Sequence, residues 1–406
     1  MDSSGRVVQL VLCTEGQMLG ALPPFPVEVP WWPEVGDIVD GARDRFGLEI
    51  AVLRLIGCPT DRRSGGEVTY LAEVMAPGDV PASVLRGLLP WTGHPGDPLA
   101  EHPLRQPWAR PGGPAAALAW ARERLTEQGV EVIGSAEQRK SWNLSAIWRI
   151  PTSAGAVWLK CVPEFFAHEG AVIRAVGASL APVLLAAEPG RILLADIAGE
   201  DHHDATGSIL PPMIDLLVAE QAHWIGRDDE LFALGLPDRR LPAVAPRIAE
   251  VAESYADKLT HSERHDLRRL VDQVPERITE LEACGIPNTL VHGDFHSGNV
   301  RGRPGSLVIL DWGDSAVGHP LTDELAFTRA LGAADRAVAA AHFARAWQAL
   351  LPGCDPSRAA ELLQPVSALI GAVQYADFVD AIEPDEHVYH LADVPALLRQ
   401  AVAATR

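Results

Sequence analysis

Residues 290–320, which read LVHGDFHSGNVRGRPGSLVILDWGDSAVGHP, constrain the fold and the chemistry of this chain more than any other stretch. Two short apolar runs within it each lead into a loop that carries a carboxylate. The first loop supplies Asp294 and, five residues later, Asn299, and the second loop begins with Asp311. Glycine and proline between the runs predict a turn that joins two short strands. The sequence therefore predicts a small hairpin that holds these three polar side chains around one point.

An Asp and an Asn in one loop, followed by an Asp after a strand, are the minimum set for metal-assisted phosphoryl transfer. The transferred phosphoryl group passes through a loose transition state, so the protein mainly positions groups and neutralises charge. In this interpretation Asp294 is catalytic and orients the attacking hydroxyl, while Asn299 and Asp311 hold Mg²⁺ against the nucleotide phosphates. Mg²⁺ keeps several waters and takes few protein oxygens, so a larger ligand set is not required.

The same stretch resembles a known family. HGDFHSGN is similar to the HGDxHxxN loop of aminoglycoside phosphotransferases and related small-molecule kinases, and LDWGD followed by GHP and DELA is similar to their second metal loop. The resemblance covers roughly residues 130–400 and implies a protein-kinase-like fold. His292 and Asp294 then stand where a protein kinase has the His and Asp of its HRD motif. His319 departs from the family pattern, which often has an acidic residue between that Gly and Pro.

The lysines of the chain are few enough to be informative. Only Lys140, Lys160 and Lys258 occur among 34 lysines and arginines, so a lysine is a candidate for a task that a planar guanidinium cannot perform. Lys160 ends AVWLK, which together with IWRI and the turn PTSAG predicts a β-hairpin. The resemblance implies that Lys160 contacts the α- and β-phosphates. Its partner is then an acid on the next helix, Glu169, with Glu164 as the alternative.

Two further segments are candidates for nucleotide contacts. Residues 134–145 lack a GxGxxG pattern, but backbone N–H groups of such a loop can bind anions, and Ser141 is the candidate contact, with Asn143 beside it. An ordinary solvated turn is an equally good interpretation of this loop. The run RILLADIAGED predicts a strand that the resemblance identifies with the hinge, whose backbone would read the adenine edge near Asp196 and Ala198. ATP is the expected nucleotide, and GTP is the alternative.

The chain becomes helical in pattern from Gly207 onward, with apolar residues recurring every three or four positions. Near its end, Asp377, Asp380 and Glu383 recur at three-residue spacing and would share one helix face. If that face borders the substrate, it could hold the amino groups of a cationic molecule. A solvated helix face is the more common outcome for such a pattern.

The first part of the chain differs in character. VVQLVLCT, EIAVLRLIGCP and EVTYLAEVMAP predict strands, and GDIVDGARDRFGLEI predicts a helix, so a small α/β domain is expected over residues 1–105. DGARDRFGLEIAVLRLI resembles the helix–strand unit of Nudix domains, but Arg43, Asp44 and Arg45 stand where the metal-binding glutamates of that family belong. Hydrolase activity is therefore expected to be lost, and a cap or dimerisation module is the alternative. Residues 89–114 are rich in proline and glycine and predict a linker.

Together these patterns predict an α+β chain with three parts. A small α/β domain (1–105) precedes a bilobal protein-kinase-like fold, which consists of a small β-rich N-lobe (115–200) and a large helical C-lobe (201–406). The formal charge of −20 argues against a nucleic-acid partner, because phosphate binding requires basic surface. It permits a cationic substrate but also serves solubility.

Composition also bears on the location of the chain. The five cysteines are scattered without a CxxC pair, no apolar run reaches the ~20 residues of a membrane span, and no secretory signal is evident at the N-terminus. A cytoplasmic location without a membrane partner is expected, and the oligomeric state is not predicted.

The sequence thus predicts a cytoplasmic, ATP- and Mg²⁺-dependent O-phosphotransferase for a small hydroxylated molecule. An aminoglycoside or other antibiotic, an amino sugar and a related metabolite are all compatible acceptors. A non-catalytic nucleotide-binding scaffold or sensor is the alternative, although such proteins usually lack a metal ligand or the lysine. Protein kinase activity fits less well, because no APE segment and no long activation loop follow Asp311.

Overall fold

A computed structural model describes residues 5–59, 63–76, 78, 80–91, 93 and 96–405. The chain divides into two compact units that are each built from more than one stretch. Unit 1 comprises Met1–Glu164, Leu185–Asp196 and Val379–Tyr389, and unit 2 comprises Phe165–Leu184, Ile197–Phe378 and His390–Arg406.

Unit 1 begins with a mixed five-stranded sheet. Its strands are β1 (Arg6–Thr14), β2 (Gln17–Ala21), β3 (Phe25–Val27), β4 (Ile50–Gly57) and β5 (Gly66–Val74), in the order β2-β1-β5-β4 with β3 beside β1. β1 pairs in parallel with β5, and the other pairings are antiparallel. Alternate residues of β1 point to opposite faces. Val8, Leu10 and Leu12 join α1 (Gly36–Phe46) in one core, and Val11 and Cys13 contribute to a second core on the other face.

The second sheet of unit 1 contains the predicted lysine hairpin. Its strands are β6 (Glu137–Ser141), β7 (Ala146–Thr152), β8 (Gly155–Cys161), β9 (Leu184–Glu188) and β10 (Arg191–Ala195), in the order β6-β7-β8-β10-β9. Before this sheet come α2 (Ala82–Gly87) and α3 (Gly113–Glu127). Trp120 and Leu125 of α3 pack on Trp148 and Leu159, and this apolar contact holds the helix on one face of the sheet.

Unit 2 is mainly helical, as the spacing of apolar residues predicts. Its helices are α4 (Glu169–Val176), α5 (Leu210–His223), α6 (Asp228–Ala233), α7 (Leu241–Ser254), α8 (His261–Asp272), α9 (Val274–Ala283), α10 (Leu321–Arg329), α11 (Ala333–Leu350), α12 (Pro356–Asp380) and α13 (Asp393–Ala403). α8 begins with a capping box, in which Thr260 accepts a hydrogen bond from the Glu263 amide and the Glu263 carboxylate accepts one from the Thr260 amide. The predicted α+β class, with a β-rich first part and a helical second part, is confirmed.

Two small sheets lie among the helices of unit 2. β11 (Glu200–Asp201), β13 (Val300–Arg303) and β14 (Ser306–Ile309) form one, and β12 (Thr289–Val291) and β15 (Ala316–Gly318) form the other. The predicted hairpin between the two carboxylate loops is therefore present as β13 and β14.

α12 is the one helix within the described ranges that is long and apolar enough to cross a membrane by length and composition. Of its most apolar window, 61% is buried inside the protein. The core helix of a globular protein has the same properties, so this helix is weak support for a membrane span.

Candidate active site

The loop of residues 292–299 in unit 2, called the catalytic loop after the role that the sequence predicts for it, brings Asp294 and Asn299 into direct contact. β12 is buried along its whole length and delivers the chain into this loop, which ends in a 3-10 turn, Ser297–Asn299. The side-chain amide Nδ2 of Asn299 donates to the backbone oxygen of Asp294 at 2.9 Å and to its carboxylate Oδ2 at 3.2 Å. The predicted pairing of these two side chains is thus a local hydrogen-bonded arrangement.

The second loop meets the first through the backbone. The Leu310 amide donates to the carbonyl of Asn299 at 2.7 Å, which places the end of β14 beside the catalytic loop. Asp311 follows with φ of 61°, a left-handed conformation that Asp adopts more readily than most side chains. Its charge, together with that of Asp294, contributes to raising the pKa of His296. The structure therefore brings the three sequence-predicted side chains into one neighbourhood.

The donor set of this neighbourhood fits Mg²⁺. Because Nδ2 of Asn299 is used in both bonds to Asp294, its oxygen Oδ1 is oriented away from them, as a cation ligand would be. Hard oxygen ligands of this kind, one amide and one carboxylate, suit an ion that keeps most of its waters. Among the described residues, no group of three or more His, Cys, Asp or Glu side chains is arranged to hold a metal ion. A magnesium site here would depend on Asn299 and Asp311.

His292 fastens the two loops together. The side chain is fully buried, its Nδ1 accepts a hydrogen bond from the Asp294 amide at 3.3 Å, and its Nε2 lies 2.8 Å from the carbonyl of Leu310. With Nδ1 as acceptor, Nε2 carries the proton and donates to that carbonyl. His292 thus holds the two loops together by hydrogen bonds.

His296 lies against the carboxylate of Asp294. Its Nδ1 accepts from the Gly298 amide at 3.0 Å, and its Nε2 faces Oδ2 of Asp294 at 3.6 Å. Asp294 raises the pKa of His296 through this interaction and through its charge, while burial opposes the shift. A His296 ring that carries a proton on Nε2 can therefore stabilise the negative charge of Asp294.

Asp323 is the site residue that sequence reasoning missed. It lies in the first turn of α10, is fully buried, and accepts hydrogen bonds from the amides of His292 at 2.8 Å and Gly293 at 2.9 Å. Gln221 donates a third bond at 2.8 Å. Burial raises the pKa of Asp323, and these donors oppose that shift. Asp323 is the first residue of the DELA motif, but the sequence alone does not predict which groups Asp323 contacts.

The approach of the two loops is too close for a side chain at position 293. Gly293 has φ of 86°, and a Cβ there would lie 2.2 Å from the backbone oxygen of Asp314. Gly313 of the second loop faces the ring of Phe166. Burial lowers the pKa of His168, and hydrogen bonds with the backbones of Ser315 and Gly313 oppose that shift. The segment before α4 therefore packs against the second loop.

The candidate lysine and its candidate partner occupy different units. Lys160 lies in β8, opposite Ile147 on one side and Ile192 on the other. Glu169 opens α4 and is only 1% exposed, whereas Glu164 is exposed. Since a buried carboxylate requires a polar partner, burial favours Glu169 over Glu164. The pairing of Lys160 with Glu169 stays a prediction.

The other predicted nucleotide contacts differ in accessibility. Ser141 is fully buried, and its hydroxyl donates to the carbonyl of Leu53 at 3.1 Å, so its side chain does not face solvent in this conformation. Asp196 is exposed and accepts a hydrogen bond from the indole of Trp158 at 2.7 Å. Ala198 is exposed. The nucleotide-binding roles of these residues stay predictions.

Two members of the acidic face expected on the last long helix are already paired with arginines. Asp377 accepts hydrogen bonds from Arg239 at 3.0 Å and from Arg247 at 3.1 Å. Glu383 is 2% exposed and binds Arg105 through both carboxylate oxygens. These partners leave little reason to assign Asp377 or Glu383 to the amino groups of a substrate.

Residues 162–362 match the sequence model of the phosphotransferase enzyme family. Among solved structures, a macrolide 2'-phosphotransferase type I is similar at 16% identity and a TM-score of 0.50, over 70% of this chain and 97% of that one. A macrolide 2'-phosphotransferase from Brachybacterium faecium, in its apoenzyme form, has the same identity and TM-score, over 71% and 97%. A spectinomycin phosphotransferase in complex with ADP and spectinomycin follows at 13% identity, 71% and 98% coverage and a TM-score of 0.48.

Curated protein sequences include no match to this chain. The family model spans both carboxylate loops, the buried Asp323 and the helix that begins at Glu169. Its match agrees with the motifs and with the geometry of the catalytic loop. Residues 162–362 are thus a phosphotransferase enzyme family domain, and the chain is a small-molecule phosphotransferase of protein-kinase-like fold.

Proposed function

We propose that this chain transfers the γ-phosphoryl group of ATP to a hydroxyl group of a small molecule. The observation that carries the proposal is the contact of Asn299 with Asp294, in a loop that is bonded through its backbone to the strand preceding Asp311. A proton acceptor and two cation ligands in one rigid hairpin are what this reaction requires of a protein.

Asp294 orients the acceptor hydroxyl and takes its proton as the hydroxyl oxygen attacks the γ-phosphorus. A new P–O bond forms, the bond from the γ-phosphorus to the β–γ bridging oxygen breaks, and ADP leaves. Mg²⁺, when bound, neutralises charge on the phosphate oxygens, and Asn299 and Asp311 are the residues that would hold it. Asn299 also fixes the carboxylate of Asp294 through its Nδ2 bond.

The remaining residues bind and orient the nucleotide in this proposal. Lys160 contacts the α- and β-phosphates with Glu169 as its partner, and the backbone near Asp196 and Ala198 reads the base. ATP is proposed as the default nucleotide, with GTP as the alternative. The sequence does not identify the base, because the predicted contacts to it come from the backbone. The activity is proposed to be cytoplasmic, which is supported by the five cysteines all being free.

The acceptor is proposed only as a class. An aminoglycoside or other antibiotic, an amino sugar and a related hydroxylated metabolite remain candidates, and a role in antibiotic resistance depends on which of them is phosphorylated. The arginine partners of Asp377 and Glu383 weaken the case for a strongly cationic acceptor.

The test is a screen for MgATP consumption over hydroxylated antibiotics, sugars and amino alcohols, followed by mass analysis of the product. With the best acceptor, Asp294→Ala should reduce turnover by about a thousandfold, because the proton acceptor is lost. Asp311→Ala should abolish turnover, because a proposed ligand of Mg²⁺ is lost. Asp257→Ala, at a carboxylate that is 69% exposed in unit 2, is the matched control and should leave turnover unchanged.

Retained turnover in folded Asp294→Ala or Asp311→Ala would overturn the assignment of that residue. Binding of ATP without turnover on any acceptor, and without slow hydrolysis, would favour a non-catalytic scaffold or sensor instead.

A further inference from the structure

Strand β6 is bonded along both of its edges. One edge pairs with β7, where Gln138 lies opposite Trp148 and Ser141 lies opposite Ala146. The other edge faces the first sheet and helix of unit 1, β1–β5 with α1, which we call the N-terminal module. The buried side-chain amide of Gln138 accepts a hydrogen bond from the Val52 amide at 2.7 Å and donates to the Val52 carbonyl at 2.9 Å. This side chain thus binds β4 as a neighbouring strand would.

The backbone of β6 is also bonded to the module. The Val35 amide donates to the carbonyl of Arg139 at 3.0 Å, and the amide of Ser141 donates to the carbonyl of Pro33 at 3.0 Å. The hydroxyl of Ser141 adds a bond to the carbonyl of Leu53 at 3.1 Å. The module therefore determines where β6 ends and where the following turn begins.

The turn itself, residues 141–145, is held by its own bonds and from further sides. The Trp142 amide donates to the carbonyl of Ser145, and its indole donates to the Ser145 hydroxyl, each at 3.0 Å. The indole of Trp108 donates to the carbonyl of Trp142 at 3.0 Å.

The segment Val379–Tyr389, which belongs to the same unit, supports the turn as well. The side chain of Asn143 donates to the carbonyl of Glu386 at 3.4 Å, and the rings of Trp142 and Tyr389 lie 5.7 Å apart in an edge-to-face arrangement.

Burial turns the polar side chains of this turn inward. Ser141 and Asn143 are both fully buried, although a solvated turn would expose side chains of this kind. Their hydroxyl and amide groups are used on the module and on Glu386, and the backbone amides of Ser141 and Trp142 are used on Pro33 and Ser145. The part of the turn that would meet an anion is therefore the backbone of Leu144 and Ser145. Backbone N–H groups held in a fixed turn bind phosphate oxygens well, because no ordering is required at the moment of binding.

We propose that the N-terminal module is a support for the phosphate-binding turn, with Gln138 and Ser141 as its positioning residues. In this proposal their side chains act on the turn and not on the nucleotide, which replaces the direct nucleotide contact predicted for Ser141. They hold the turn in the conformation that receives the phosphates. The inference rests on the proposed ATP-dependent activity. The module and the turn both lie outside residues 162–362, so the family match by itself does not specify this role.

The test compares full-length Gln138→Leu and Ser141→Ala with the unchanged protein by calorimetric titration of MgATP and by slow MgATP hydrolysis. Leu has a similar size to Gln but cannot bind Val52. We expect the Kd and KM for MgATP to rise by about fivefold to tenfold in each variant, while kcat stays within about twofold. Arg43→Ala, at an exposed ion pair elsewhere on the module, should leave all three values unchanged.

Folded Gln138→Leu and Ser141→Ala with an unchanged KM for MgATP would overturn the proposed support. Failure of the unchanged protein to bind or use MgATP would instead contradict the proposed function. If the variants do not fold, hydrogen exchange of the unchanged protein without nucleotide tests the inference instead. Slow exchange of the Val52 and Ser141 amides is expected, and fast exchange at both would overturn the inference.

Discussion

Asp323 organises the catalytic loop although it lies in neither of the two carboxylate loops. Its two oxygens accept the consecutive amides of His292 and Gly293, directly before Asp294. A buried carboxylate that accepts several backbone bonds stays satisfied and holds those amides rigidly. The backbone directly before Asp294 is therefore held by a residue about thirty positions away in the sequence.

The replacement Asp323→Asn tests this role. The amide keeps the shape but replaces one acceptor oxygen with a donor that faces a backbone N–H group. We expect the free energy of unfolding to fall by about 1–3 kcal/mol and turnover to fall with little change in the KM for MgATP. Thermal unfolding and steady-state kinetics measure the two effects.

The matched control is Asp335→Asn, where an exposed carboxylate accepts the amide of Gly207. It should change neither quantity appreciably. Wild-type stability and turnover in Asp323→Asn would show that this carboxylate is not needed to position the loop.

Residue roles could be predicted where one short motif contains the whole arrangement. Asp294 and Asn299 are in contact because they lie five positions apart in a tight loop, and that spacing is visible in the sequence. Asp323 and Ser141 are different. The partners of Asp323 come from another loop, and the burial of Ser141 depends on Leu53 of a distant strand. Such contacts have no local signature.

At the scale of elements, turn chemistry identified both functional hairpins correctly. Ser153 and Ala154, at the centre of PTSAG, separate β7 from β8, and Pro304 and Gly305 separate β13 from β14. The acidic residues predicted to share one helix face show the limit of such reasoning. The prediction is wrong for Glu383, because α12 ends at Asp380 and Glu383 lies beyond it. The arginines that pair with Asp377 and Glu383 also come from elements far away in the chain.

The segment Val379–Tyr389 carries a buried ionic network of unit 1. Arg105 binds Glu383 through two nitrogens, and Arg54, which is fully buried, lies 3.8 Å from the same carboxylate. Burial raises the pKa of Glu386 to about 8, the charge of Glu383 adds to this, and the two arginines oppose it. Glu386 is therefore largely protonated at neutral pH.

This network makes the stability of unit 1 depend on pH between about 4.5 and 8. The folded-state pKa of Glu386 lies above the unfolded value of 4.5, so the folded form binds more protons between about pH 4.5 and 8. Its contribution is complete below pH 4.5 and is lost as the pH rises through 8. Glu386→Gln cannot titrate, so it should gain stability relative to wild type across this window, by at most about 1.4 kcal/mol per pH unit.

Chemical unfolding at a series of pH values measures that difference. Glu361→Gln, at a carboxylate that is 70% exposed on α12, should give a curve parallel to wild type. A curve parallel to wild type for Glu386→Gln itself would show that the buried carboxyl does not titrate differently on folding.

At the scale of the whole molecule, composition and motif order were enough for the fold class and the family but not for the acceptor. The predicted domain boundaries at residues 105 and 200 stay predictions. The compact units have other bounds, and unit 1 runs without interruption to Glu164. Hydrogen bonds between β4 and β6 join the N-terminal module to the lysine-bearing sheet, which explains why unit 1 continues past residue 105. The resemblance of the module to Nudix domains also stays a prediction.

The central claim is that Asp294, Asn299 and Asp311 act together on a magnesium-bound triphosphate. A crystal structure with Mg²⁺ and a non-hydrolysable ATP analogue tests it most directly. The predicted result is one Mg²⁺ about 2.1 Å from Oδ1 of Asn299 and from a carboxylate oxygen of Asp311, with Asp294 directed at the γ-phosphate and not coordinated to the ion. A triphosphate whose magnesium lies away from Asn299 and Asp311 would contradict the claim.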